Sequence, residues 1–273
     1  MSWVLQSPGP VLWQWGPLAL RWYGICLSLG VLAGTALSYG LAKRRGLDPG
    51  LVLDVLGWLS LGAIPAARLY YVIFAWPEFA HRPWWSSIAL WQGGLAMHGA
   101  LIGGILALAL FCRRYGQPFW VWLDLIAPGV ILGQAIGRWG NFFNNEAYGR
   151  PLQPGQGLLI QLQLPDGSLV HPTFLYESFW NLGVLILLLL LTSRPALPQG
   201  VVAWVYAIGY SLGRYWIEGL RTDSLMWGGF RVAQGVSLLL VVVGSLALWW
   251  MFGLSRDPAS APVRIAPAPK RDP

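Results

Sequence analysis

Apolar residues in this chain come in long blocks, not in the alternating or one-faced patterns of soluble strands and helices. Seven blocks approach or exceed the roughly 20 residues that carry a helix across hydrocarbon: 18–42, 51–75, 93–112, 121–138, 171–193, 200–219 and 232–252. The fourth is short and holds Pro128, and Pro65 predicts a kink in the second. The basic residues between blocks are one-sided. Lys43, Arg44 and Arg45 follow the first block, Arg113 and Arg114 the third, Arg194 the fifth, and Arg256, Arg264, Lys270 and Arg271 the last. If the blocks alternate, all of these fall on one side, which the positive-inside rule makes the cytoplasm. The expected fold is an all-α integral membrane protein with seven transmembrane helices, an outside N-terminus and a cytoplasmic C-terminus.

The polar connections fill in that outline. Residues 1–254 read as one membrane domain, with a small extracytoplasmic head made from the insert 139–170, and the Pro/Ala-rich residues 255–273 as a disordered cytoplasmic tail. Within the insert, residues 158–172 alternate on either side of Asp166-Gly167, which predicts a hairpin closed by a two-residue turn. Residues 76–92 carry Trp84, Trp85 and Trp91, suited to lie among lipid headgroups.

Composition agrees: 56% of residues are hydrophobic and 11% charged, against about 25% charged in soluble domains. The net charge of +7 fits anionic lipid, and no basic arm or nucleic-acid motif accompanies it. Cys26 and Cys112 lie at opposite ends of their blocks and read as buried thiols, not a disulfide. The N-terminus lacks the basic region of a cleavable signal peptide. Three scattered histidines and no His/Cys cluster predict no metal. With no phosphate-binding loop, dinucleotide fingerprint or Ser-His-Asp set, no cofactor is expected, and any reaction must draw on an activated bond in the substrate.

What remains is a set of polar residues inside apolar blocks, where each needs a partner or a cavity. Tyr206, Tyr210, Arg214 and Glu218 follow one another at intervals of four, with Arg221 three further on, so they share one helical stripe. Gln134 and Arg138 are likewise four apart, followed by Asn141, Asn144, Asn145 and Glu146, with glycines at 133, 137 and 140 that permit close backbone approach. Arginine matches a phosphate through its fixed fork. Two arginines, each followed by a glutamate, therefore suggest a lipid-phosphate site. The plainer alternatives are a structural ion pair between Arg214 and Glu218 and a polar helix end around Asn141. Asn144 reads as the residue that holds the turn, and Glu146 as a group that orients Arg138 or another cation. His98 sits in the third block beside Gly94, Gly99 and Gly103, as a base, a hydrogen-bond anchor or a donor to phosphate. His171 precedes Pro172 at the start of the fifth block, Glu177 lies inside that block and needs a partner, and Arg21 and Tyr23 mark the outer end of the first. Asp54, Arg68 and Asp124 read as structural.

The run GRWGNFFNNEAYG (137–149) matches throughout the pattern G-R-x-G-N-F-x-N-x-E-x-x-G, and with LRWYG (20–24), GGLAMHGALIGG (93–104), HPTFLYES (171–178) and YSLGRYWIEGLRTD (210–223) the chain resembles the prolipoprotein diacylglyceryl transferase family. The resemblance runs from the first block to the seventh. It implies a seven-helix enzyme of the bacterial plasma (inner) membrane, its site facing the outer leaflet and periplasm. Such an enzyme moves the diacylglyceryl group of phosphatidylglycerol onto the lipobox cysteine of a signal-peptide-bearing preprolipoprotein, giving a thioether and glycerol phosphate. By motif, Arg138 and Arg214 would handle the phosphate. His98, Tyr23, Tyr210, Asn141, Glu146, Gly149, Glu218 and Arg221 would line or support the cavity, with Gly99, Asn144 and His171 beside them. His98 or Tyr210 is the candidate acceptor of the thiol proton. Ala100 and Phe174 depart from the family, which usually has glycine and glutamine there. A different phospholipid-headgroup transferase and a non-enzymatic lipid transporter are the rival readings; no internal repeat supports the second.

Overall fold

Backbone polar groups cannot be left open in hydrocarbon, so long apolar blocks close on themselves as helices. The computed structural model describes residues 2–16, 18–90, 93–153, 157–194 and 196–254. Strands β1 (Trp3–Gln6), β2 (Val11–Trp15) and β3 (Leu18–Arg21) come first. Helices α1 (Trp22–Arg44) and α2 (Gly50–Phe74) follow, then the single turn α3 (Trp76–Phe79) and a 3-10 turn at Trp84–Ser87. Next are α4 (Met97–Arg114), α5 (Phe119–Asn144), the strands β4 (Ile160–Gln163) and β5 (Leu169–Val170), α6 (Thr173–Thr192) and α7 (Val201–Glu218). The short strands β6 (Met226–Trp227) and β7 (Phe230–Arg231) precede α8 (Val232–Leu254). Trp91 and residues 255–273, the expected tail, lie outside the described residues.

Six of these helices, α1, α2, α4, α5, α6 and α8, are long and apolar enough to cross a membrane. Their outward surfaces are apolar: Leu61, Leu106, Leu190, Leu239 and Leu246 are each more than half exposed. Only 11% of the apolar stretch of α8 is buried by protein. Water would not tolerate such a surface, and lipid covers it. The chain is a multi-pass α-helical membrane protein. The 200–219 block forms a helix too, but the polar stripe of α7 removes it from the purely apolar set.

Several expected boundaries move. Residues 18–21 form β3, paired with β2 in a hairpin, so Arg21 ends a strand instead of opening the first helix. The third block begins its helix only at Met97, because Gly93 and Gly94 adopt φ of +78° and +73°, conformations no right-handed helix contains. His98 is therefore in the first turn of α4 and not deep in a span. The fourth block runs unbroken through Pro128 to Asn144. The predicted hairpin is present, but its loop has three residues. Leu164 and Ser168 still pair, and Pro165, Asp166 and Gly167 (φ +85°) close it, the αL glycine giving a turn-plus-bulge connection. The parallel strand β1 completes this small sheet.

The chain divides into two compact units: residues 2–38 with 124–254, and residues 39–123. In the first, α1 meets α5 along glycines. A Cβ on Gly30 would lie 2.9 Å from the carbonyl oxygen of Gly133, and one on Gly34 would strike that of Gly129. Ile131, Val184, Leu185, Leu188 and Val202 form an apolar core among α5, α6 and α7. Asp124 is buried and accepts the backbone N–H groups of Gly200 (2.6 Å) and Ala203 (2.8 Å), capping α7, the structural role expected of it. A second core of Phe142, Leu162, Leu164, Val170, Phe174 and Leu175 seats the small sheet on the ends of α5 and α6.

In the second unit, Gly99 and Gly103 of α4 pack on Ala66, Tyr70 and Gly62 of α2, the close face their spacing predicted. Arg68 is buried and structural, as expected. Its guanidinium gathers the carbonyls of Ser86, Ser87, Gly93 and Gly94 and thereby fixes the segment that leads into α4.

Candidate active site

Three helices of the first unit converge at one charged cluster. Residues 134, 138 and 141 share a face of α5, and residues 206, 210, 214 and 218 a face of α7. Gln134 donates to the Tyr206 hydroxyl (3.0 Å), starting the match between the two stripes. One turn on, Arg138 meets Tyr210. From α6, Glu177 enters between them. Its Oε2 contacts Nε of Arg138, and its Oε1 lies 2.8 Å from Nη1 of Arg214 and 3.8 Å from Nη1 of Arg221. Arg214 also holds Glu218 (2.6 Å), and Arg221 clasps Asp223 through Nε (2.9 Å) and Nη2 (2.8 Å).

Three guanidiniums, of Arg138, Arg214 and Arg221, are paired with three carboxylates, of Glu177, Glu218 and Asp223, and a fourth, of Arg231, bonds the backbone oxygens of Glu218 and Arg221. Two like charges about 6 Å apart repel by about 3 kcal/mol at an effective dielectric near 20, so arginines this close require the carboxylates. The guanidiniums are not equally committed. Both terminal nitrogens of Arg214 face carboxylates. Those of Arg138 reach only Asn141 Oδ1 and the Tyr210 hydroxyl, both at 3.5 Å, the outer limit of a hydrogen bond. Arg138 thus keeps a fork of donors loosely held.

The signature loop is built around this fork. Asn145 (φ +51°) is the left-handed residue that ends α5, and the backbone bonds Asn145 N to Phe142 O and Glu146 N to Asn141 O complete a Schellman cap. Asn145 supplies the left-handed position of the turn, and Asn144 donates across it to Glu146 (3.3 Å). Glu146 does not touch Arg138. It accepts from Asn141 (2.8 Å) and Asn144 (3.3 Å), and Asn141 in turn faces Arg138. Glu146, expected to orient Arg138 or another cation, thus reaches Arg138 only through Asn141, and the direct carboxylate partner of Arg138 is Glu177. Gly149 lies against His171 and Thr173, where a Cβ would come within 2.7 Å of the His171 Cβ. From there the backbone bridges Gly149 to Arg221, and Arg150 N donates to Leu220 O (2.7 Å). This ties the end of the signature to the base of Arg221.

Of the glycines expected to allow close approach, Gly133 meets Gly30 and Gly140 meets the Tyr23 ring, whereas the space beside Gly137 is open. Tyr23 thus stands at the α5 end of the cluster. His171 is buried with Nδ1 3.4 Å from the Tyr176 hydroxyl, and burial, aided by the charge of Arg150, holds its pKa below the usual value. The Asp223 carboxyl is held below its usual range by its hydrogen bonds from Arg221. His98 and Gly99 belong to the other unit, where His98 is exposed and its ring stacks on Tyr70 at 5.8 Å. Glu177 and Asp223 were missed as site residues. A carboxylate inside an apolar block that demands a cation was the available signal for Glu177; Asp223 lies in a loop and gave none. No group of three or more His, Cys, Asp or Glu suited to a metal occurs among the described residues.

A half-buried pair of guanidiniums, one with loosely held donors, can grip a phosphate and stabilise charge that grows on it. Comparison with known proteins points the same way. The family model for prolipoprotein diacylglyceryl transferase matches residues 10–250. A phosphatidylglycerol–prolipoprotein diacylglyceryl transferase of Gloeobacter violaceus is 53% identical over 251 residues, 90% of this chain and 93% of that protein. Proteins of the same name from Synechococcus elongatus (50% over 272 residues, 96% and 93%) and a Nostoc species (51% over 262 residues, 92% of each) are similar over nearly their whole length.

Proposed function

The chain belongs to the prolipoprotein diacylglyceryl transferase family, and from that premise we propose how its charged cluster works. The enzyme transfers the diacylglyceryl group of phosphatidylglycerol to the thiol of a lipobox cysteine in a preprolipoprotein. The thiolate attacks the glycerol carbon bonded to the phosphate oxygen. A C–S bond forms, the C–O bond breaks, and glycerol phosphate leaves with the electron pair. The observation that carries the reading is the convergence of Arg138 and Arg214, from separate helices, on one carboxylate.

The chemical difficulty is the meeting of a thiolate with a phosphodiester anion. Arg138 binds the diester through its loosely held fork, and Arg214 supports the second charge that develops as the phosphate departs. A preorganised donor of this kind contributes about 3 kcal/mol, on the order of a hundredfold in rate. Asn141, Asn144 and Glu146 keep the Arg138 side of the chamber polar. Glu218, Arg221, Gly149 and His171 fix its far wall, and Tyr23 borders the lipid side. His98 and Tyr210 are the two candidates for accepting the thiol proton. A free cysteine has a pKa near 8.5, so the push required is small. Neither a metal nor a nucleotide enters the reaction.

In the membrane α7 is the sixth of seven spans. Its 18 residues extend about 27 Å at 1.5 Å per residue, close to the hydrocarbon thickness of about 30 Å. Lys43, Arg44, Arg113 and Arg114, in the last turns of α1 and α4, mark the cytoplasmic side. The N-terminus and the 139–170 head then lie outside, and the cluster opens to the outer leaflet of the bacterial plasma membrane and the periplasm. Purified enzyme given phosphatidylglycerol and a lipobox peptide should release glycerol phosphate and leave a thioether-linked diacylglycerol on cysteine. Arg138→Ala and Arg214→Ala should abolish both. Lipid translocation without product would overturn the assignment in favour of a transporter.

A further inference from the structure

We propose that Glu177 is a positioning residue for this transfer: its carboxylate sets the spacing of the Arg138 and Arg214 guanidiniums and keeps the terminal nitrogens of Arg138 free for phosphate. The inference rests on the reaction proposed above. Glu177 is 5% exposed, yet it touches guanidiniums from two other helices and approaches a third, Arg221, at 3.8 Å. Each oxygen has its own arginine: Oε2 meets Arg138, and Oε1 meets Arg214.

The point of attachment matters. Glu177 takes Arg138 at Nε, the nitrogen nearest the chain, so Nη1 and Nη2 project beyond it with only the 3.5 Å contacts to Asn141 and Tyr210. A carboxylate placed across the two terminal nitrogens would instead fill the fork a phosphate needs. Arg214, by contrast, is clamped at Nη1 by Glu177 and at Nη2 by Glu218, and it supplies fixed positive charge. Glu177 thus gives two chemically identical side chains different tasks.

Only a carboxylate of this length can do this. Glutamine presents one acceptor and one NH2, and the NH2 would face a guanidinium that has no acceptor. Aspartate keeps the charge but is one methylene shorter and cannot span both arginines. Glu218 is no substitute, since its guanidinium partners, Arg214 and Arg221, do not include Arg138.

The test uses full-length enzyme in phosphatidylglycerol nanodiscs with a lipobox peptide, read as glycerol phosphate release per folded molecule. Glu177→Gln should lower kcat at least a hundredfold, with KM for phosphatidylglycerol unchanged or reduced, because a negative charge beside two cations has gone. Glu177→Asp should recover at least tenfold over the glutamine variant and still fall tenfold short of wild type. A purely structural role would lower the folded fraction and leave kcat per folded molecule unchanged, and that result overturns the proposal. So does a rise in KM that accounts for the whole loss. Should Glu177→Gln fail to fold, Glu177→Asp decides alone: a tenfold lower kcat at constant KM supports positioning, and wild-type kcat overturns it. Arg138→Ala is the control. If it turns over normally, the site itself is misassigned. If it is inactive while Glu177→Gln is fully active, only the positioning role fails.

Discussion

Arg138→Lys separates the fork from the charge. Lysine keeps the positive charge but offers one compact ammonium where arginine offers Nε to Glu177 and two terminal nitrogens beyond it. An ammonium drawn to Glu177 leaves the phosphate unheld, and one extended toward the phosphate leaves Glu177 short of a cation. In either placement at least one charge-assisted contact is lost at the transition state. Losing one preorganised donor costs about 3 kcal/mol, a fall of roughly a hundredfold in kcat/KM at about 1.4 kcal/mol per tenfold. The side chain is only 13% exposed, so water does little to replace the contact. The measurement is initial-rate glycerol phosphate release at several phosphatidylglycerol concentrations in nanodiscs, with the folded fraction set by size exclusion and thermal unfolding. A lysine variant within threefold of wild type would mean that local positive charge suffices, and the argument from guanidinium geometry would be wrong.

Three further outcomes follow from other parts of the structure. Asp124→Ala strands the N–H groups of Gly200 and Ala203 in a buried setting; it should cost about 2 kcal/mol of stability, seen as a lower thermal midpoint in detergent with kcat per folded molecule unchanged. Phe174→Gln places an amide among the Trp139 and Phe142 rings; it should destabilise the head by about 3 kcal/mol and spare the specific activity of the folded fraction, with equal midpoints as the refuting result. His171 has a lowered pKa because of burial and Arg150, so the native state binds fewer protons there than the unfolded chain. Its contribution is complete above the unfolded value of about 6.5 and is lost as pH falls below it; acid titration of the midpoint should show a loss through pH 6 that His171→Gln flattens.

Much of this molecule was legible in its sequence because hydrocarbon makes strong demands. The long apolar blocks became helices, and the four-residue spacing from Tyr206 to Glu218 placed those side chains on one face. The hairpin around Asp166 was legible for a different reason, its period being local, although its loop has three residues instead of two. What was misread depended on contacts far along the chain. Glu146 lies eight positions from Arg138 but is turned away by the left-handed Asn145, whereas Glu177, on another helix, supplies the counter-charge. The start of α4 moved because two glycines bend left-handed under carbonyl bonds from Arg68, an arrangement no periodicity encodes. β1 pairs with β4 across more than a hundred and fifty residues, and its four residues gave no sign of a partner.

The pairing of charges in the cluster bears on turnover as well as on stability. Three unpaired arginines in a low-dielectric interior would repel one another while empty and would hold a dianionic product too tightly to release. With Glu177, Glu218 and Asp223 in place, each of the three arginines has a carboxylate partner, and a phosphodiester brings one more negative charge to them. As the C–O bond breaks, the phosphate gains a second. The response has to come from donors already in position, not from added charge, and the loosely held fork of Arg138 is where such donors are found. Carboxylates beside the phosphate then oppose retention of the dianion once the thioether has formed. Neutralising Asp223, the half-exposed member held by Arg221, should therefore slow release more than chemistry. Asp223→Asn should lower steady-state kcat while leaving the single-turnover rate near wild type, and it should make glycerol phosphate a tighter product inhibitor. Equal losses in single-turnover and steady-state rates would show that the balance of charge serves the chemical step alone.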